Sequence, residues 1–314
     1  MTPVNSNHRR QKRQSLASTA TQIVSGAVAT AGLLIASQAL YLALCTPRLP
    51  PPDNSGHDFD KDGLLVPYID KDGQDSSYED SAPEFRLVLL GDSPVEGIGN
   101  ATHCAALGGQ TALAFSKLLK RPVRYWSYGK SGLTAKGIQL EMVPLLQRVS
   151  QEYIIDAIVV SCGVNNVLIG QAATQFGKEV HELLDSTLSS CCSTTRIIVM
   201  ELLDFALMPF IPFPLSQIAS WRSRALQREM EAIVNEHKDK KEKKGLIGMA
   251  YMPQIEKLMG QRNHHPLLDH LTQEQKDCLQ LTDFFADDDF HPANLGTTII
   301  GKMLATTYSQ LLEM

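Results

Sequence analysis

The sequence predicts an α/β fold, a parallel sheet of about five strands covered on both faces by helices. Three observations predict it. Short apolar runs alternate with longer amphipathic stretches across residues 84–314. The first of these runs, Leu87-Val88-Leu89-Leu90, is apolar throughout, as a strand buried on both faces must be. Three of the runs lead directly into Gly-, Ser- or Asn-containing turns, the positions where open α/β sheets hold ligands.

The elements follow in order. Arg86–Leu90 is rich in Leu and Val and stops at Gly91-Asp92-Ser93. Ala105–Leu119 reads as the first long helix, and Val123–Ser127 as the next strand. Lys136–Ser150 is predicted helical, Asp156–Ser161 extended, Thr174–Ser189 helical and Arg196–Glu201 extended. Gln217–His237 is a helix, with the mixed charge run Lys238–Lys244 as its solvated end. Leu246–Tyr251 supplies the last strand. Pro292 opens the periodic stretch Ala293–Leu312 as proline at a helix start does. Between strand and helix, Leu202–Leu215 is apolar but holds three prolines, so it cannot be a regular helix. It either walls an acyl pocket or touches a membrane, or it folds back onto the core.

Several of the turns carry residues with chemical potential. Ser93 stands at the carboxyl end of a buried strand. A hydroxyl needs a base to become a nucleophile at neutral pH, and imidazole is suited to that task. His291, in Ala286-Asp287-Asp288-Asp289-Phe290-His291-Pro292, can supply it. Asp288, three residues earlier, can hold the far ring nitrogen and fix its tautomer. Acyl transfer also creates an oxyanion that needs N–H donors. The backbone at Ser93, the backbone at Gly132 in Gly129-Lys130-Ser131-Gly132, and the amide of Asn165 in Gly163-Val164-Asn165-Asn166 are candidates. Each motif alone is also an ordinary turn or an acidic helix-capping loop.

The order Gly-Asp-Ser, Gly, Gly-x-Asn, Asp-x-x-His resembles the SGNH hydrolases, the GDSL-type esterases and lipases, over roughly residues 84–312. The four family residues match Ser93, Gly132, Asn165 and His291, with Asp288 as the partner acid. The resemblance implies a flavodoxin-like three-layer α/β/α sandwich. It also implies a serine esterase or lipase working through an acyl-enzyme on a small-molecule or lipid ester, with no cofactor. Two departures stand out. Asn166 occupies a position that is often Asp in the family, and Ser93 is followed by Pro94-Val95-Glu96. The Gly-x-Ser-x-Gly elbow of standard α/β-hydrolases is absent. The same fold also admits an acyltransferase or a carbohydrate O-acetyl esterase. Outside enzymes, the rival is a catalytically inactive, membrane-tethered binding protein.

Composition agrees with a large core, at 43% hydrophobic residues. Net charge is −5, but residues 1–52 carry +5, which leaves −10 on the remainder. So acidic a catalytic part argues against nucleic acid as partner. No metal-type Cys or His spacing appears: His181-Glu182-Leu183-Leu184-Asp185 lacks the second histidine of a zincin helix, and His264, His265 and His270 lie in a polar loop. The six cysteines permit a bridge in an oxidising compartment, with no pairing fixed by sequence.

The N-terminus divides into three parts. Residues 1–22 are basic, with Arg9, Arg10, Lys12 and Arg13. Residues 23–45 are uncharged and about long enough to cross a bilayer, as a transmembrane anchor or signal segment. Basic residues on its N-terminal side keep that side cytosolic and place the catalytic part in the lumen or outside. A secreted protein with a cleaved signal peptide and a mitochondrial presequence are the alternatives. Residues 46–83, rich in Pro, Asp, Gly and Ser, read as a flexible linker; its EF-hand-like Asp58–Gly63 lacks the closing Glu, which is Ile69.

Overall fold

The structure, a computed structural model, describes residues 32–42, 46–52, 62–68, 83–239 and 246–313. Its strands are β1 (Leu64–Val66), β2 (Phe85–Gly91), β3 (Val123–Gly129), β4 (Ala157–Val160), β5 (Arg196–Met200) and β6 (Ile247–Ala250). They form one sheet in the order β1-β3-β2-β4-β5-β6, parallel except where β1 pairs antiparallel with β3. The helices are α1 (Ser93–Glu96), α2 (Leu107–Leu119), α3 (Ala135–Glu141), α4 (Val143–Glu152), α5 (Val164–Leu168), α6 (Ala173–Ser189), α7 (Leu215–Asp239), α8 (Ile255–Gly260), α9 (Gln273–Cys278) and α10 (Asn294–Leu312).

Successive side chains of a strand point to opposite faces, and here both faces are apolar. Leu87 and Leu89 of β2 pack with Phe115 of α2 and Leu304 and Tyr308 of α10. Val88 and Leu90 pack on the other face with Ile138, Leu146, Phe176, Leu183 and Met230 from α3, α4, α6 and α7. That is the expected three-layer sandwich. All four side chains of β2 named here are fully buried, which explains the unbroken apolar run.

Three local expectations are corrected. Lys136–Ser150 is two helices, α3 and α4, because Pro144 has no N–H to continue the ladder and opens a new helix instead. The sheet gains a sixth strand, β1, from inside the segment expected to be a linker; three residues are too few to show a period. Upstream of β1 the chain is also packed. Pro52 is buried against Gly97, whose φ of +93° suits glycine, and Leu49 lies beside Gly99. Positions 53–61, with most of the EF-hand-like motif, lie outside the described residues.

Residues 32–42 are helical, and Gln38 donates to the Phe213 carbonyl at 2.8 Å. Among the described residues no helix is long and apolar enough to cross a membrane. Residues 1–31 and 43–45, which hold the basic segment and most of the proposed anchor, lie outside the description. Five cysteines among the described residues are free thiols.

Candidate active site

Gly91 ends β2 with its Cα against the Val95 side chain and the Ser161 carbonyl; a Cβ there would come within 2.8 Å of that carbonyl oxygen. The close approach lets the chain turn at once into the single helical turn α1. Asp92 is its N-cap and Ser93 its first residue, with Pro94 following where its missing N–H is not needed. Ser93 is buried, and its backbone N–H sits among the first-turn donors that have no intrahelical partner.

His291 comes from a tight loop before α10. The loop is closed by Ala286 N–H donating to the His291 carbonyl at 2.8 Å and by a bridge between Phe285 and Pro292. Asp289 takes φ +54° inside it. Of the three adjacent aspartates, Asp287 is exposed, Asp289 is half-buried and Asp288 points inward at 4% exposure. One Asp288 oxygen lies 2.6 Å from His291 Nδ1. The other accepts the backbone N–H groups of Phe290 and His291, at 3.1 and 3.0 Å. Burial alone would raise the Asp288 pKa, but these hydrogen bonds more than offset it and hold the carboxyl below its usual range. The remaining nitrogen, His291 Nε2, is buried and has no hydrogen-bond partner among the described residues.

Ser93 and His291 both line one cavity of about 450 Å³. Its other walls are mostly apolar and include Met200, Leu202, Met208, Leu258, Phe284 and Ile299. The proline-broken segment after β5 therefore does two things. Leu202, Leu207 and Met208 face the cavity, Phe205 and Ile211 are buried in the core, and Phe213 stands out in solvent at 76% exposure. Phe210 packs against Phe290 in a tilted arrangement with ring centroids 5.0 Å apart, and Phe290 meets the His291 ring edge-on at 4.8 Å.

Gly132 has φ +84°, and a built Cβ there meets nothing within 4 Å, so the glycine answers the backbone and not crowding. Asn165, in the first turn of α5, donates its amide to Asp92 at 3.2 Å and to the Leu133 carbonyl at 2.9 Å. It thus ties the residue before Ser93 to the residue after Gly132. Neither Gly132 nor Asn165 is among the residues that line the cavity.

Sequence reasoning missed three supports. Glu96, on the same helical turn as Ser93, accepts both the N–H and the hydroxyl of Ser131, at 2.6 and 2.5 Å, and so fixes the loop before Gly132. Asn166 is fully buried and accepts the Ala135 N–H at 3.1 Å, anchoring α3; its amide turns to Gln171 and Glu179. A carboxylate is not needed for that bond, which accounts for the departure at this position. Asp92 is fully buried, and burial pushes its pKa up to about 7 against the hydrogen bonds from its own backbone, Ser161 and Asn165. Cys162, also buried, is pushed up to about 12 and is a packing residue.

A doubly covered, mostly parallel sheet with a serine and an aspartate-held histidine on one apolar cavity defines the class of α/β/α ester hydrolases. The chain belongs to the GDSL-like Lipase/Acylhydrolase family, whose sequence model matches residues 87–304. Solved structures resemble it at low identity. A lipolytic G-D-S-L family protein from Veillonella parvula is 14% identical, covering 72% of this chain and 99% of its own, with a TM-score of 0.47. The lipase Lip_vut3 from a goat rumen metagenome gives 14%, 72%, 99% and 0.49. The psychrotrophic esterase EstA from Pseudoalteromonas gives 12%, 74%, 100% and 0.47. No curated protein matches the chain.

Proposed function

We propose that this carboxylic ester hydrolase is a serine esterase for acyl or lipid-like esters, working through an acyl-enzyme. One observation carries the reading. His291 is gripped by Asp288 at Nδ1, while its unpartnered Nε2 and Ser93 share one apolar cavity. Ser93 Oγ attacks the ester carbonyl carbon as its proton passes to His291 Nε2. The oxyanion is held by the N–H groups of Ser93 and Gly132 and by the Asn165 amide, which turns from Asp92 or Leu133 to do so. The carbonyl–alkoxy bond then breaks, and the alcohol leaves with the proton from His291. Water attacks the acyl-serine, giving its proton to His291 and releasing the acid, and Ser93 recovers its hydrogen. Asp288, ionised throughout, stabilises the imidazolium formed in both halves.

A fluorophosphonate probe tests the nucleophile directly. Wild type labels at one site, and Ser93→Ala does not label and loses several orders of magnitude in turnover. Labelling retained in Ser93→Ala overturns the mechanism.

The apolar, mostly aliphatic cavity favours an acyl chain over a sugar acetate. Membrane attachment through residues 23–45, with the catalytic part lumenal or extracellular, belongs to the same reading. It rests on the uncharged stretch 23–45 with Arg9, Arg10, Lys12 and Arg13 on its N-terminal side. Carbonate extraction of the full-length protein tests it: attachment predicts the membrane fraction, and recovery in the soluble fraction removes the anchor.

A further inference from the structure

His181 and Asp185 are four residues apart on α6 and so share one face. His237 reaches the same point from α7. His181 Nδ1 lies 3.1 Å from one Asp185 oxygen, and His237 Nε2 lies 3.0 Å from the other. One donor atom from each of the three falls within 4.8 Å of the others. The second histidine that the local sequence lacks is thus supplied by a neighbouring helix. We propose that His181, Asp185 and His237 form a binding site for a divalent cation of the zinc class.

Hydrogen accounting favours a cation at this point. His237 Nδ1 faces the Ile233 carbonyl at 2.9 Å, and a carbonyl only accepts, so Nδ1 carries the hydrogen. In the neutral ring Nε2 is then a bare lone pair, pointed at a carboxylate. Something positive must lie between them, a proton or a metal ion. The ring is completely buried, which makes an unmet contact there costly. His181 has a similar orientation without the same constraint: its Nδ1 faces Asp185, while its Nε2 stands 3.6 Å from Glu236 Oε1, too far for a hydrogen bond. Each imidazole thus turns one nitrogen to an outer acceptor and the other to a common centre, the orientation of metal-bound histidines.

A proton on His237 could fill the same role, but it would place an imidazolium in a fully buried ring with a second imidazole 4.8 Å away. One divalent ion leaves both rings neutral and is balanced by Asp185 and Glu236. Two nitrogens and one carboxylate oxygen suit zinc, and bonds of 2.0–2.1 Å in a tetrahedron separate ligand atoms by about 3.3 Å. The 3.0 and 3.1 Å contacts are made to the two different Asp185 oxygens, and donor atoms of the trio lie within 4.8 Å of one another, so side-chain rotation must draw both nitrogens onto one oxygen to reach that tetrahedron. Water completes the fourth position, because Asp185 is on the surface. The ion would join the carboxyl end of α7 to α6. Gln227, which lines the cavity, precedes His237 by ten residues, or about 15 Å of helix, so the ion touches no substrate.

The test uses the full chain, stripped by chelator and titrated with zinc chloride in two buffers of different ionisation heat. Saturable binding of one equivalent with proton release is expected, together with a higher Tm. Cobalt(II) at the same site should give the strong visible absorption of tetrahedral coordination. His181→Ala and Asp185→Asn, both at partly exposed positions that tolerate change, should each weaken zinc binding at least a hundredfold. Glu236→Gln should weaken it about tenfold through the His181 ring. Esterase turnover of all three should stay within twofold of wild type. Equal zinc binding by wild type and by both ligand variants overturns the site and assigns the metal to other groups. No saturable binding by wild type overturns it in favour of an imidazolium–carboxylate pair.

Discussion

A single oxygen of Glu96 accepts both the backbone N–H and the hydroxyl of Ser131, so the helical turn that carries Ser93 also holds the loop that carries Gly132. One side chain thus positions both the proposed nucleophile and a proposed oxyanion donor. Glu96→Gln keeps the size but loses the charge that strengthens both bonds. We expect turnover to fall about tenfold, since a lost charge-assisted bond contributes about 1.5 kcal/mol, with KM little changed. A variant that raises KM alone would place Glu96 in substrate binding instead.

The three adjacent aspartates should separate cleanly. Asp288→Asn removes the acceptor at His291 Nδ1 and allows the wrong tautomer, which costs up to about ten-thousandfold in turnover in comparable triads. Asp287→Asn, at an exposed position, should stay near wild type, and Asp289→Asn should lose little, because Asn also tolerates the left-handed region. Steady-state kinetics on one ester decides it; a loss at Asp289 as deep as at Asp288 contradicts the assignment.

Asp92 predicts a pH dependence of stability. Its folded pKa, raised to about 7 from 3.8, means the native state binds more protons than the unfolded state between those values. Stability contributed by this group is therefore complete at low pH, falls as pH rises from 3.8 to about 7, and is level above. Asp92→Asn has no such titration. Urea unfolding should show the variant gaining on wild type from pH 5 to pH 7 and no further beyond pH 8. A difference independent of pH would mean that Asp92 is not desolvated in the native state.

The cavity predicts a chain-length series. Each methylene buried contributes about 0.8 kcal/mol, close to a fourfold step in kcat/KM, until the volume is filled. Medium-chain p-nitrophenyl esters should therefore exceed the acetate substantially. Leu207→Gln, which makes one wall polar, should flatten the series without altering the acetate rate. A preference for acetate that Leu207→Gln leaves untouched removes the acyl role of the wall.

Much of this was legible in the chain because its signals are local. Strands buried on both faces give unbroken apolar runs, and Leu87–Leu90 show one plainly. Asp288 and His291 lie in one loop, so spacing alone reveals the pair. What stayed hidden depends on segments meeting in space. β1 is three residues long and gains meaning only from its partner β3. Helical periodicity runs unbroken through Met142 and masks the one signal in the sequence, Pro144, that divides it. Glu96 and Ser131 are 35 positions apart, and nothing in either neighbourhood announces the other. The same holds for Asp185 and His237, whose helices meet only in the folded chain. Each of the two segments looks ordinary alone.

Pro52 against Gly97 has a consequence for supply. The chain at 49–52 lies beside the turn that follows Ser93, with Pro52 against Gly97 and Leu49 beside Gly99. An attachment made through that chain would hold the enzyme by its mouth. Substrate would then arrive by lateral diffusion in the surface instead of from bulk solution. Turnover would follow how long a lipid dwells near the rim, not how much of it is dissolved. Cutting the chain upstream of Pro52 would leave the catalytic chemistry whole and change only the dimensionality of the search.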